Sequence, residues 1–96
     1  MITPLEQLTQ PLKLRPLVVW FAQEMERVLQ ENDFKHGWQT MSNDSIYDRQ
    51  KDELRELGLA LASGHANLII NKAVDVANFC AFMAWNEHRK GVRYET

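Results

Sequence analysis

After Pro16 the apolar residues recur at spacings of three and four, and no segment shows the strict alternation of a half-buried strand. That helical period is the strongest constraint on what the chain can fold into. Leu17, Trp20, Phe21, Met25, Val28 and Leu29 mark one face and predict a first helix from about Pro16 to Glu31. Pro16 suits its first turn, where a missing N–H costs no hydrogen bond. Pro4, Pro11 and Pro16 forbid regular helix interiors around them, so residues 1–15 read as a proline-rich lead-in. Asn32 to Asp44 has no sustained period and reads as a loop with a short turn around Trp38. Ser42, Asn43 and Asp44 are candidate N-caps for a second helix, roughly 44–62, with Ile46, Gln50, Leu54, Leu57 and Leu61 as its stripe and Ser63-Gly64 as its stop. A third begins near Ala66, carries Leu68, Ile69, Val76, Phe79 and Met83 toward Glu87, and is punctuated by Gly91. The expected fold is all-α, a helical bundle of about three main helices in one domain spanning 1–96.

Size and charge narrow the function. A chain of 96 residues is too short for two cores and buries a limited fraction of its surface, so three helices with wide apolar faces are expected to complete their core by homo-oligomerisation, as a dimer or tetramer. A formal charge of −2 offers no cationic footprint for a nucleic-acid duplex or an anionic membrane. The longest apolar stretch, Val74 to Trp85, is interrupted by Asp75 and Asn78 and falls short of the roughly 20 residues of a membrane span. No basic segment followed by an apolar run opens the chain, and the single Cys80 reads as a small buried side chain. A soluble, cytoplasmic protein is expected.

Chemistry concentrates on the last two helices. Glu53 and Glu56 stand three residues apart, adjacent on one surface, and can share a cation; such a pair is also common on solvated helix faces. Asp75 is more demanding because it interrupts the apolar run Ala73–Ala84. An aspartate there needs a hydrogen-bond partner, a cation or a wet cleft. One answer is a polar network closed by Lys72 or Arg55. The other is convergence with Glu53 and Glu56 on Mg²⁺, which prefers carboxylate oxygens and retained waters.

The motifs Phe21-Ala22 with Met25-Glu26, Lys35-His36-Gly37-Trp38, Asp52-Glu53-Leu54-Arg55-Glu56-Leu57 and Lys72-Ala73-Val74-Asp75-Val76-Ala77-Asn78-Phe79 occur in an order that resembles the MazG-like all-α nucleoside triphosphate pyrophosphohydrolases, in particular their short, phage-type members. The resemblance covers about residues 20–88, and its last motif is the most specific. In that family a Glu-Glu-x-x-Glu motif and a Glu-x-x-Asp motif hold Mg²⁺ against a triphosphate tail. The resemblance therefore implies Glu53, Glu56 and Asp75 as metal ligands, for Mg²⁺ or alternatively Mn²⁺, and Glu53 or Glu56 as catalytic general base. This chain departs from the pattern at Lys72, where the family carries glutamate.

The implied activity is Mg²⁺-dependent hydrolysis of a nucleoside triphosphate, deoxynucleotides included, to monophosphate and pyrophosphate. The alternative is a catalytically reduced MazG-like protein that binds nucleotide or a protein partner without turnover, because an ammonium replaces a metal-ligand carboxylate. Trp38 can stack on a base or anchor its loop. Lys35, His36 and Lys72 can reach phosphate, and Asn78 and Phe79 border the same expected nucleotide site, Asn78 reading a base edge or bonding a neighbouring helix. Trp20 and Trp85 read as packing or interface residues.

Overall fold

The computed structural model describes residues 12–32 and 37–91, and within them the chain is all-helical. Helix α1 spans Pro16–Glu31, a short 3₁₀ helix spans Trp38–Thr40, α2 spans Asn43–Ser63 and α3 spans Ala66–Arg89. The periodicity thus located each main helix to within about two residues, and the turn expected around Trp38 is the 3₁₀ helix.

The ends follow local chemistry. Pro16 opens α1, and the Asn32 side-chain amide donates to the Val28 carbonyl at 2.9 Å where α1 stops. Of the three candidate caps for α2, Ser42 takes the role, its Oγ accepting from the Ser45 N–H at 3.2 Å. Gly64 ends α2 at φ 73°, a left-handed turn in which glycine avoids the Cβ clash. Only Gly64 and His65 separate α2 from α3, so the two run antiparallel as a helical hairpin.

Helix α3 is the central element, packed along α2 and, over a shorter length, along α1, with the 3₁₀ helix against it. The fully buried apolar set is small: Val28 from α1, Ile46 and Ala60 from α2, Val74 from α3. Among the described residues three buried polar ones, Gln50, Asn78 and Asn86, share that interior. Gln50 Nε2 donates to the Val76 carbonyl at 2.9 Å and also reaches Cys80 Sγ at 2.9 Å. Asn86 donates to Asn43 Oδ1 at 3.0 Å and accepts from Arg89, while Asn43 donates to Glu87 at 3.0 Å. Arg27 of α1 reaches Asn71 of α3 at 2.9 Å.

Several expected core positions are exposed. Leu54 is 57% accessible and Leu61 is exposed as well, so the predicted α2 stripe is only half right. A strict spacing of four advances about 400° per step, so by Leu54 the stripe has rotated about 80° from Ile46. The inward face instead runs Ile46, Gln50, Glu53, Leu57 and Ala60, alternating four and three. Cys80 is exposed rather than buried, although its sulfur accepts from Gln50. Trp20 and Trp85 are also about half exposed among the described residues. By length and composition alone α3 is apolar enough to cross a membrane, but it buries Asn78 and Asn86 against α1 and α2.

Ile46 is fully enclosed, so Ile46→Ala is expected to cost roughly 2–5 kcal/mol of unfolding free energy in urea titration. A loss below about 1 kcal/mol would mean that α2 turns a different face inward.

Candidate functional site

The open side of the α1–α2–α3 arrangement holds a cleft of about 900 Å³. Helix α1 contributes Val28, Leu29 and, just past its end, Asn32; α2 contributes Arg49, Asp52, Glu53 and Glu56; α3 contributes Lys72, Asp75, Asn78, Phe79 and Phe82. The segment Gly37–Met41 covers one end. Gly37 enters the 3₁₀ helix at φ 135°, a backbone state that L side chains rarely adopt, and this turn delivers Trp38 onto the cleft.

The two ends of the cleft differ in chemistry. At the aromatic end Trp38 stacks on Phe82, with ring centroids 4.2 Å apart and planes 9° from parallel, and Phe79 meets Phe82 edge-on at 5.8 Å. Trp38 is therefore anchored to α3 and also borders the cleft. Beside this cluster Asn78 is only 4% exposed; its Nδ2 donates to the Met25 carbonyl of α1 at 3.4 Å. Its Oδ1 is buried with no hydrogen-bond partner among the described residues. An unmatched buried acceptor costs about 1–3 kcal/mol.

At the charged end Lys72 Nζ donates to Glu56 Oε2 at 2.8 Å and stands 3.8 Å from Asp75 Oδ2. The hydrogen bond from Lys72 holds the Glu56 carboxyl below its ordinary range, and the same bond raises the Lys72 pKa, so the ammonium stays charged at neutral pH. Glu53 moves the other way: burial first, then the negative charges of Asp75 and Glu56, push its pKa up, partly opposed by Lys72. A proton added to this group goes to Glu53 before Glu56. Arg55, the other expected partner for Asp75, instead meets Asp52 at 3.3 Å on the exposed side of α2. The polar network around Asp75 is thus closed on its Lys72 side.

Glu53, Glu56, Asp75, Lys72, Trp38, Asn78 and Phe79 all border this one cleft, as expected together from sequence. Lys35 and His36 lie outside the described residues. Sequence reading passed over Arg49, although it stands four residues before Glu53 and so shares its helix face. It also gave no role to Phe82, the platform for Trp38.

Among the described residues no three Asp, Glu, His or Cys side chains stand close enough to hold an ion. The ammonium of Lys72 sits between Glu56 and Asp75, where it would repel a divalent cation by several kcal/mol at an effective dielectric of about 20.

Comparison of the chain with known protein families, curated proteins and solved structures finds no match. The functional reading therefore rests on the cleft itself and on the motif resemblance.

The pairing has a pH signature. Because Glu56 has a depressed pKa in the fold, the stability it adds is present above its ordinary value of 4.5 and is lost as pH falls through the depressed folded value. The melting temperature of wild type should exceed that of Glu56→Gln at neutral pH, and the gap should close on acidification below 4.5. A gap independent of pH would exclude the ion pair as its origin.

Proposed function

We propose that this chain is a nucleotide-binding protein of the MazG-like type, in its catalytically reduced form. The observation that carries the reading is the cleft's division into a stacked aromatic end, with the unmatched buried Asn78 acceptor, and a charged end where Lys72 is held by Glu56 and Asp75. A nucleoside has the matching parts. Its base can lie against Trp38 and Phe79, beside the Asn78 amide, while its sugar hydroxyls donate to carboxylates at the other end.

A second reading, Mg²⁺-dependent hydrolysis of a (deoxy)nucleoside triphosphate to monophosphate and pyrophosphate, is favoured by one observation. Glu53 and Glu56 on α2 and Asp75 on α3 all line the same cleft, so the motif carboxylates face one space. The ammonium between two of them is why we place it second.

The two readings separate in one experiment. Purified protein is incubated with Mg²⁺ and a panel of nucleoside triphosphates, and monophosphate and pyrophosphate are measured beside the melting temperature with nucleosides and nucleotides. The expected outcome is no product, with at least one panel member stabilising the fold; ligand at 100 times its Kd adds about 2.7 kcal/mol. Product formation that disappears in Glu53→Gln would establish the hydrolase instead. Trp38→Ala is expected to weaken the best ligand by about 1–3 kcal/mol, the usual worth of one base–aromatic stack, in calorimetric titration.

We also propose that the chain functions as a homo-oligomer. Leu17, Val18 and Trp20 on α1, with Leu59, Leu61 and Trp85 elsewhere, are large apolar side chains left in solvent beside a small core. Light scattering after size exclusion should report a dimer or tetramer. Leu17→Glu combined with Trp20→Glu is expected to reduce its mass; an unchanged mass would move the interface off α1.

A further inference from the structure

We infer that Lys72 is the resident cation of this cleft, so that the cleft takes its ligand without a divalent ion, and that this ligand is a nucleoside or nucleoside monophosphate in preference to a triphosphate. The inference rests on the nucleotide-binding reading above and names the class of ligand for that site.

The geometry comes first. A metal in a helical bundle neutralises carboxylates from different helices and ties those helices together. Lys72 does both from within the chain. Its Nζ extends from α3 to Glu56 on α2 at 2.8 Å and lies 3.8 Å from Asp75 one turn along its own helix. It thereby bridges the two walls that a cation would otherwise bridge, and its stem is partly buried among them. A divalent ion approaching Glu56 has to displace an ammonium that cannot diffuse away.

Charge then selects the ligand. Asp52, Glu53, Glu56 and Asp75 line the cleft with Arg49 and Lys72, and Arg55 pairs with Asp52 from the outer side of α2, so among the described residues four carboxylates meet three cations, a formal −1. A triphosphate adds several negative charges to that, and without bound metal only the two basic side chains among the described lining residues face them. A nucleoside adds none, and a monophosphate can be met by Lys72 or Arg49 alone. What the cleft has in excess is acceptors. Besides the carboxylates there is Asn78 Oδ1, more than nine-tenths buried on the cleft lining and without a partner among the described residues. A ligand rich in N–H and O–H donors and poor in negative charge matches this set.

The test has a metal arm and a ligand arm. In the first, Mn²⁺ binding is followed by electron paramagnetic resonance and Mg²⁺ by its effect on melting temperature, with no nucleotide present. Wild type is expected to bind neither ion, and Lys72→Glu to gain Mn²⁺ binding. Lys72→Met, which removes the charge without adding a carboxylate, should gain it more weakly, and it serves if Lys72→Glu fails to fold. Stoichiometric Mn²⁺ binding by wild type, or no gain in any folded Lys72 variant, would overturn the assignment of Lys72. In the second arm, nucleosides, monophosphates and triphosphates of each base are titrated by calorimetry in EDTA and again in Mg²⁺. The best nucleoside or monophosphate is expected to bind about equally in both and at least about tenfold more tightly in EDTA than its own triphosphate. A triphosphate that binds best, or affinity abolished by EDTA, would overturn the ligand class. If no nucleoside or nucleotide binds in either buffer, the nucleotide-binding reading itself fails, while the metal arm still decides the role of Lys72.

Discussion

The seam between α2 and α3 holds the register on which every contact in the cleft depends. Glu53 and Glu56 stand on one helix, Lys72 and Asp75 on the other, and a slip of one turn, about 5.4 Å, would take Lys72 out of reach of Glu56. Apolar packing alone resists such a slip weakly, because among the described residues the fully buried apolar ones of the seam are Ile46, Ala60 and Val74. The buried amides resist it more. Gln50 has one α3 carbonyl within reach, at Val76, and Asn43 has Asn86 and Glu87. Sliding the helices would strand the buried Gln50 and Asn86, each at about 1–3 kcal/mol, whereas in register they are paired.

The same seam sets the electrostatics of the cleft. A lysine on α3 facing a bare solvent surface would remain hydrated, and the pair would contribute little. Here Lys72 is drawn between carboxylates from two helices, and the two glutamates respond differently to their surroundings. Glu56 accepts its hydrogen bond and is held ionised; Glu53, more buried and next to other negative charges, is pushed toward protonation. Two glutamates three residues apart are thus shifted in opposite directions, one by burial and neighbouring negative charge, the other by the lysine's hydrogen bond. The aromatic end is organised from α3 as well, since Trp38 reaches the cleft by lying on Phe82. One central helix therefore supplies a charged surface, an amide and an aromatic platform within three turns.

Helix number, type and approximate ends were legible in the sequence, because 3.6-residue periodicity, Pro16, Ser42 and Gly64 act through local backbone geometry. So was the demand that Asp75 find a partner, since an aspartate within an apolar helical run is costly in any fold. Less legible was which face of each helix turns inward. Leu54 falls on the expected apolar stripe and Cys80 in an apolar run, yet both are exposed, while Gln50 and Asn86 are buried. Burial depends on what lies opposite, and hydropathy does not report it.

By itself, then, the sequence determined three helices and placed acidic, basic and aromatic residues at spacings that put them on common faces. Only the tertiary structure decided between the two partners available to Asp75. Arg55 points along the outside of α2 to Asp52, and Lys72 points inward to Glu56 and Asp75. The difference lies in helix rotation. Both cations stand three residues from an acid on their own helix, but only Lys72 also faces a carboxylate on the neighbouring one, and that contact exists only once α2 and α3 have packed.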